Sequence, residues 1–437
     1  MSTISNTMND EHILQIKESF GTDESIRRYV YNEYLPLTGT SYNTPGEIRI
    51  ILESQDEFFH PSSSFIVIEG QLVKEEASAV YTDDDVIALV NNAPMFLFSN
   101  IKYELSGHEI ESINYPGPAT TMKGLLKYSD DYAKGQGMNQ CWTKDTGAGT
   151  AVLATNEGFN VRHAYIIKAP NPKGTFSFAI PSKHVFGFCE DYDRVTYGMR
   201  HVLTMTRQSD KDAIFRAAGC DAGKIVISKI AWHMPRVLPN DAEKYTLMKT
   251  IEAKPTLTVG FRMHQCDTIT VNQSTTFSWS LSTKTSPECP RWVYVGFQTD
   301  KAADQTKNPT IFSHCSAEDV WIELNGIPYP SLRNNTDFPK MKFSALYNAI
   351  AEFIPNYYGI TTGQQSNISP IDFATLYPLH IIDLTKQPER IKDGVMNMTL
   401  RAIFRTAVPP ATQAFIVIAS DRILKFKSDG SKMNVIN

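Results

Sequence analysis

Glu104-Leu105-Ser106-Gly107 and Glu323-Leu324-Asn325-Gly326 are two versions of one turn in a chain of 437 residues. Each ends a β-like run, at residues 100–105 and 319–324, and reverses at glycine, the residue that tolerates the backbone of a tight hairpin. A Tyr-Pro pair follows each turn, Tyr115-Pro116 and Tyr329-Pro330, and then a helix-like stretch. A second echo comes later in each half: Ile225-Val226-Ile227 and Ile416-Val417-Ile418, both fully apolar strands. Either echo alone is weak. Their shared order predicts a duplicated domain, two similar β units side by side rather than a solenoid of short repeats.

At roughly 100–200 residues per domain, the length accommodates two such units. Hydrophobic residues at 42% and charged residues at 20% describe an ordinary folded protein with material for two cores. The net charge of −5 argues against a surface devoted to clamping phosphates, and no sequence-specific nucleic-acid binding is expected. The polar opening residues 1–11 do not read as a signal peptide, and no window approaches the ~20 apolar residues of a spanning helix. The sequons at Asn272, Asn334, Asn367 and Asn397 are therefore read as coincidental. Six scattered cysteines without C-x-x-C spacing read as reduced thiols of a protein made in the cytosol.

Residues 1–40 stand apart. Segments 10–19 and 22–34 read as helical, with Thr22 as a cap, and the whole is expected to form an N-terminal arm outside either core. From Gly46 the β signal takes over. Strands are predicted at 47–52, 65–73, 95–105, 161–167, 175–180, 195–206 and 224–232, with a helix at 121–134 and a long loop at 135–158. Asn240-Asp241-Ala242-Glu243 starts a helix that Pro255 stops, marking a boundary. The second set comprises 256–264, 268–271, 276–282, 292–298, 320–324, 379–384, 395–405 and 412–426, with a packing helix at 343–353. About eight strands per half is the arrangement of a jelly roll.

Several stretches resemble double jelly-roll major capsid proteins. Phe178-Ala179-Ile180-Pro181-Ser182-Lys183-His184-Val185-Phe186-Gly187-Phe188, followed by Val195-Thr196-Tyr197-Gly198-Met199-Arg200-His201-Val202, resembles their strand, short helix and next long strand. Residues 225–239 with Asn240-Asp241-Ala242-Glu243-Lys244 look like the family's closing strand and acidic linker helix. Pro290-Arg291-Trp292-Val293-Tyr294-Val295 resembles a Trp-bearing strand early in its second jelly roll, and Glu323-Leu324-Asn325-Gly326 its Leu-Asn-Gly turn. Arg422-Ile423-Leu424-Lys425-Phe426 with Ser428-Asp429-Gly430 resembles its final strand and turn. The resemblance covers residues 41–437 and is closest to capsid proteins of Polinton (Maverick) elements and allied invertebrate DNA viruses. Few insertions are long enough for the tall outer towers of larger relatives, which puts a receptor role in doubt.

The resemblance implies an all-β fold: two tandem eight-stranded jelly rolls with short interstrand helices and an N-terminal arm, divided as 1–40, 41–240 and 241–437. It implies a structural subunit that forms pseudo-hexagonal homotrimers and then an icosahedral shell, with penton and minor capsid proteins as further partners and the virion as its place. No enzyme activity, catalytic residue, cofactor or metal is expected.

No catalytic constellation emerges from the residues that could suggest one. Asp145-Thr146-Gly147 copies an aspartic-protease signature, but Trp142-Thr143-Lys144 replaces the apolar strand that should precede it, and no second copy exists to share a proton. A turn is the simpler reading. Gly147-Ala148-Gly149-Thr150 lacks the lysine and spacing of a phosphate loop. His264-Gln265-Cys266 and His314-Cys315 could supply metal ligands only if they converged. Asp83-Asp84-Asp85 and Glu190-Asp191-Tyr192-Asp193 lack calcium-loop spacing. The alternative from another class is a β-sandwich that binds or cleaves carbohydrate, which would need two carboxylates across a cleft. Five tryptophans and 19 tyrosines are dispersed, as core packing requires.

Overall fold

The computed structural model describes residues 25–37, 42–53, 56–281, 289–360, 368–386 and 397–436. Sixteen of its described strands fall into two sets of eight. The first is β1 (Ile26–Tyr34), β2 (Gly46–Leu52), β3 (Phe65–Lys74), β4 (Phe98–Leu105), β5 (His108–Asn114), β6 (Thr175–Pro181), β7 (His201–Arg207) and β8 (Gly223–Pro239). The second is β9 (Thr256–Thr270), β10 (Thr276–Leu281), β11 (Cys289–Thr299), β12 (Ala317–Leu324), β13 (Ile327–Tyr329), β14 (His380–Asp383), β15 (Met398–Phe404) and β16 (Thr412–Ser428). In the first set one sheet runs β6-β3-β8-β1 and the other β2-β7-β4-β5. In the second set the orders are β14-β11-β16-β9 and β10-β15-β12-β13. Adding eight to each label converts one unit into the other, so the fold is a double jelly roll.

The duplication extends to register. Leu105 pairs with His108 and Leu324 with Ile327 across the two hairpins, while Glu104 faces Val202 and Glu323 faces Thr399. Ser106 and Gly107 have φ of 48° and 82°; Asn325 and Gly326 have 47° and 84°. Two successive positive φ values make the turn that matches strand twist, hence Gly second in both. The second echo also aligns. Ile225 pairs with Leu72, and Ile416 with Val295, all pointing into their own sandwich. Val226 and Val417 point out of it.

Three expectations need correction. Residues 26–34, read as helical, form strand β1 along β8, from Ile26 opposite Pro239 to Tyr34 opposite Trp232. Segment 10–19 lies outside the described residues. Residues 161–167, read as a strand, belong to helix α2 (Glu157–His163) and the wider turn Ala164–Lys168 that continues it. There the Asn156 side chain accepts the Phe159 N–H as N-cap, and the buried Phe159, Arg162, His163, Ile166 and Ile167 recur at helical spacing. The helix expected at 121–134 begins earlier, as α1 (Pro116–Lys127), and breaks before Asp130, where Ser129 caps a new turn. Elsewhere strands are joined rather than lost: 256–264 and 268–271 are one strand, β9. The linker helix spans Asp241–Glu252, capped by Asn240.

Apolar burial is continuous within each sandwich. Val293, Val295, Phe297, Ile322, Leu400 and Ile416 anchor the second core. The larger cluster fills the first sandwich and runs across the seam to Phe261, Trp292 and Val417. Histidines sit in this interior. His201 lies between the Tyr103 hydroxyl (2.8 Å) and the Thr196 hydroxyl (3.0 Å), and His184 lies 2.8 Å from the Gln140 amide oxygen. Burial pushes His184, His201 and His380 down to about 3. The unfolded chain therefore binds protons that the native one refuses, so stability is full above about pH 6.5 and falls as the pH drops towards 3. Each histidine should cost on the order of 1 kcal/mol by pH 5.5. Urea unfolding at pH 7.5 and 5.5 should show the drop, and His201→Gln, which keeps the hydrogen bonding, should reduce it. A flat profile would contradict the assignment.

Candidate functional site: the seam and the open edge

Among the described residues, the most constructed region is where the jelly rolls meet. Strand β9 ends its sheet and has one side unpaired by strands. Elements of the first jelly roll close that side. The Arg262 N–H donates to Asp191 Oδ2 at 2.7 Å, and the His264 N–H donates to Glu111 Oε1 at 2.8 Å. The other Glu111 oxygen accepts the Phe188 N–H at 3.2 Å, tying helix α3 (Gly187–Asp191) to the same carboxylate. The approach is close enough that a Cβ on Gly187 would lie 1.7 Å from the Arg262 carbonyl oxygen. Only glycine fits there. Phe188 then packs edge-on against Phe261 at 5.3 Å, and Tyr115 against Phe415 at 6.3 Å.

Charge is buried beside these contacts. Glu190 lies 2.6 Å from Lys123 Nζ and 2.5 Å from Lys127 Nζ. Burial alone would raise the Glu190 carboxyl, but the two ammonium groups hold it below the usual carboxylate range. Burial likewise lowers Lys127 and His264, with Lys123 adding to both effects. The His264 ring reaches the Tyr357 hydroxyl at 3.1 Å.

The candidate residues singled out by sequence are dispersed. Asp145 is fully buried, its carboxylate 2.7 Å from Arg162 Nη2 and 2.8 Å from the Asn156 amide nitrogen that donates to it. Across the seam, Tyr377 donates to the Asp145 carbonyl at 2.9 Å and Thr310 to its Oδ2 at 3.3 Å. A protease carboxylate must share a proton with a second acid and face water; this one holds two jelly rolls together. His314 accepts the Ser316 N–H and stacks on Phe338, remote in its partners from His264. Among the described residues no three His, Cys, Asp or Glu side chains are placed to hold a metal ion. Asp83 pairs with Lys173, Asp85 accepts from Thr82, and Asp193 lies 2.8 Å from the His60 ring. Glu111 was not singled out by sequence; Asp191 was read only as part of the acidic group 190–193, and Gly187 only within the stretch 178–188. Their partners lie more than 70 positions away, and only the close approach at Gly187 had a local sign.

Asp145→Ala leaves the Arg162 guanidinium buried without its counter-ion, a change that costs about 3–5 kcal/mol. Chemical denaturation should show a loss of that size. The double variant Asp145→Ala/Arg162→Met should recover part of it, whereas a variant no less stable than wild type would show that the pair holds nothing.

Among the described residues, no strand pairs with the outer side of the matching edge of the first jelly roll. β1 pairs with β8 on one side only, and Ile26, Tyr29, Tyr31, Leu35 and Leu37 on or just beyond it are exposed. On the outward sheet face, Val226 is 37% exposed where Val417, its counterpart, is 1%.

The model of the double jelly roll-like domain matches residues 87–424. No curated protein matches the chain. Among solved structures, the mavirus major capsid protein is similar at 9% identity with a TM-score of 0.54, over 99% of this chain and 94% of that one. The Faustovirus major capsid protein gives 11% and 0.54, over 95% and 92%. PBCV-1 VP54, fitted into a reconstruction of the virophage Sputnik, gives 9% and 0.54, over 97% and 99%. At such identities the likeness is one of fold, and it runs the whole length of both partners. With two sandwiches of one strand order and a family match across the seam between them, this chain belongs to the double jelly roll-like domain family.

Proposed function

We propose that the protein is a major capsid protein, a structural subunit without turnover that forms a homotrimer and then an icosahedral shell. The observation that carries this reading is asymmetric: the β9 edge is sealed by carboxylates of the first jelly roll, while among the described residues the equivalent β1 edge pairs with no further strand. An unpaired strand edge invites another chain. The full-length likeness in fold to three viral capsid proteins supports the same reading. Two similar jelly rolls per chain, repeated about a threefold axis, give six comparable walls, an outline suited to tiling a shell. Penton and minor capsid proteins would be its other partners and the virion its place. The motifs shared with Polinton (Maverick) capsid proteins favour that branch of the lineage. The division we propose falls at about residue 240, with Asp241–Glu252 as linker, and the first jelly roll includes β1.

No helix among the described residues is long and apolar enough to cross a membrane. Stable interfaces of this obligate type bury more than about 2,000 Å². Analytical ultracentrifugation at micromolar concentration should therefore find trimers, and negative-stain images should show hexagonal outlines or shells. A monomer that persists at high salt and binds glycans would turn the reading towards the carbohydrate alternative.

A further inference from the structure

Beyond Asp421, where its pairing with β11 stops, β16 continues to Ser428 between the start of β9 and a short strand β17 (Met433–Ile436). The Ser428 hydroxyl donates to the Ile251 carbonyl at 2.6 Å and ties this end of the sheet to the linker helix. Val259, Leu424 and Phe426 are buried on its inner side, with Phe426 edge-on to Tyr192 at 5.8 Å. Side chains alternate across a strand, so Lys425 and Lys427 point the other way, into solvent.

Cross-strand partners share a face. Thr258 therefore stands beside Lys425, and Thr256 and Asn434 stand on either side of Lys427. Lys432 is exposed in the turn between β16 and β17, and the Lys254 side chain passes the same turn, 3.1 Å from where a Cβ on Gly430 would lie. Among the described residues, no carboxylate forms an ion pair with any of these four lysines. The neighbouring acids are engaged otherwise: Asp429 accepts the Ser431 and Lys432 N–H groups at 2.8 and 2.9 Å, and Glu53, across the hollow that Lys432 lines, lies 3.4 Å from Arg200.

Four unpaired ammonium groups on one sheet face repel one another, and a polyanion relieves that repulsion. Besides the lysines the face carries Thr256, Thr258, Gly260, Ile423, Asn434 and Ile436, with no ring among them for a base to stack on. Hydroxyl, amide and ammonium donors without aromatic partners suit phosphate oxygens rather than bases. We infer that this face binds the phosphate backbone of duplex nucleic acid through Lys254, Lys425, Lys427 and Lys432, without reading sequence. The net charge of −5 is no obstacle, because charges act within a Debye length of roughly 8–10 Å. The inference does not depend on the trimer, and the two can fail separately.

Fluorescence anisotropy of a labelled duplex of about 20 base pairs, titrated with the full chain between about 50 and 200 mM NaCl, reads the phosphates neutralised. Four contacts give a slope of log K against log salt of about −3.6 for each face engaged, an affinity loss of about 150-fold across that range. Lys425→Ala/Lys427→Ala should halve the slope. Lys340→Ala/Lys342→Ala removes the same charge from exposed positions elsewhere and should leave it unchanged. Circular dichroism and thermal melting would verify that both variants fold, and two duplexes of unrelated sequence should bind alike. No binding at low salt, a slope that the first variant leaves unchanged or that both variants lower equally, or tighter binding of a single strand would overturn the inference. Binding to phosphatidylserine-containing vesicles without binding to DNA would also overturn it and give the face to an anionic lipid surface.

Discussion

Strand β9 has amide groups on its free side that must find acceptors, and the architecture follows from where they find them. A buried N–H without a partner costs about 1–3 kcal/mol. Here Asp191 and Glu111 accept from Arg262 and His264, so the first jelly roll supplies what an additional strand would otherwise provide. Cations lie close by, Arg262 across from Asp191 and Lys123 and Lys127 around the neighbouring Glu190. Replacing a strand by side chains ends the sheet at that edge, which stops further pairing on that side.

The same constraint explains the interior of the seam. Gly187 is fixed by the carbonyl it touches, Phe188 by the aromatic ring it meets, and the Asp145–Arg162 pair by the absence of water to solvate either charge. A buried ion pair adds little net stability compared with a well-packed apolar pair, but breaking it is expensive. Its role here is to specify: Thr310 and Tyr377 from the second jelly roll reach Asp145 only in one relative placement. The aspartate that resembles a protease signature is thus part of the register between two domains.

Much of this was legible in the sequence, for identifiable reasons. The two Leu-Ser-Gly and Leu-Asn-Gly turns were readable because a two-residue hairpin demands positive φ and so selects glycine. β8 and β16 announced themselves through long β-branched runs buried on one or both faces. β1 was missed because an edge strand with exposed arginines and tyrosines carries no apolar stripe, and its partner lies two hundred residues on. Residues 161–167 were misread because Val161, Ile166 and Ile167 carry β-propensity, while burial follows the helical spacing set from Asn156. Packing overrode propensity. Glu111 had no local mark and Asp191 only its place in an acidic run, since what defines them is the amide each one meets.

Duplication followed by divergence of one edge has a consequence for assembly. Had both jelly rolls sealed their own β1-type edges, the chain would be a closed two-domain body with no reason to associate. Had neither done so, each chain would offer two equivalent edges, and growth could proceed in several registers. The chain instead covers the β9 edge with side chains of its first jelly roll, while among the described residues β1 pairs on one side only. The internal seam fixes the angle between the two jelly rolls of one chain, and Glu111, Asp191 and Gly187 hold it there.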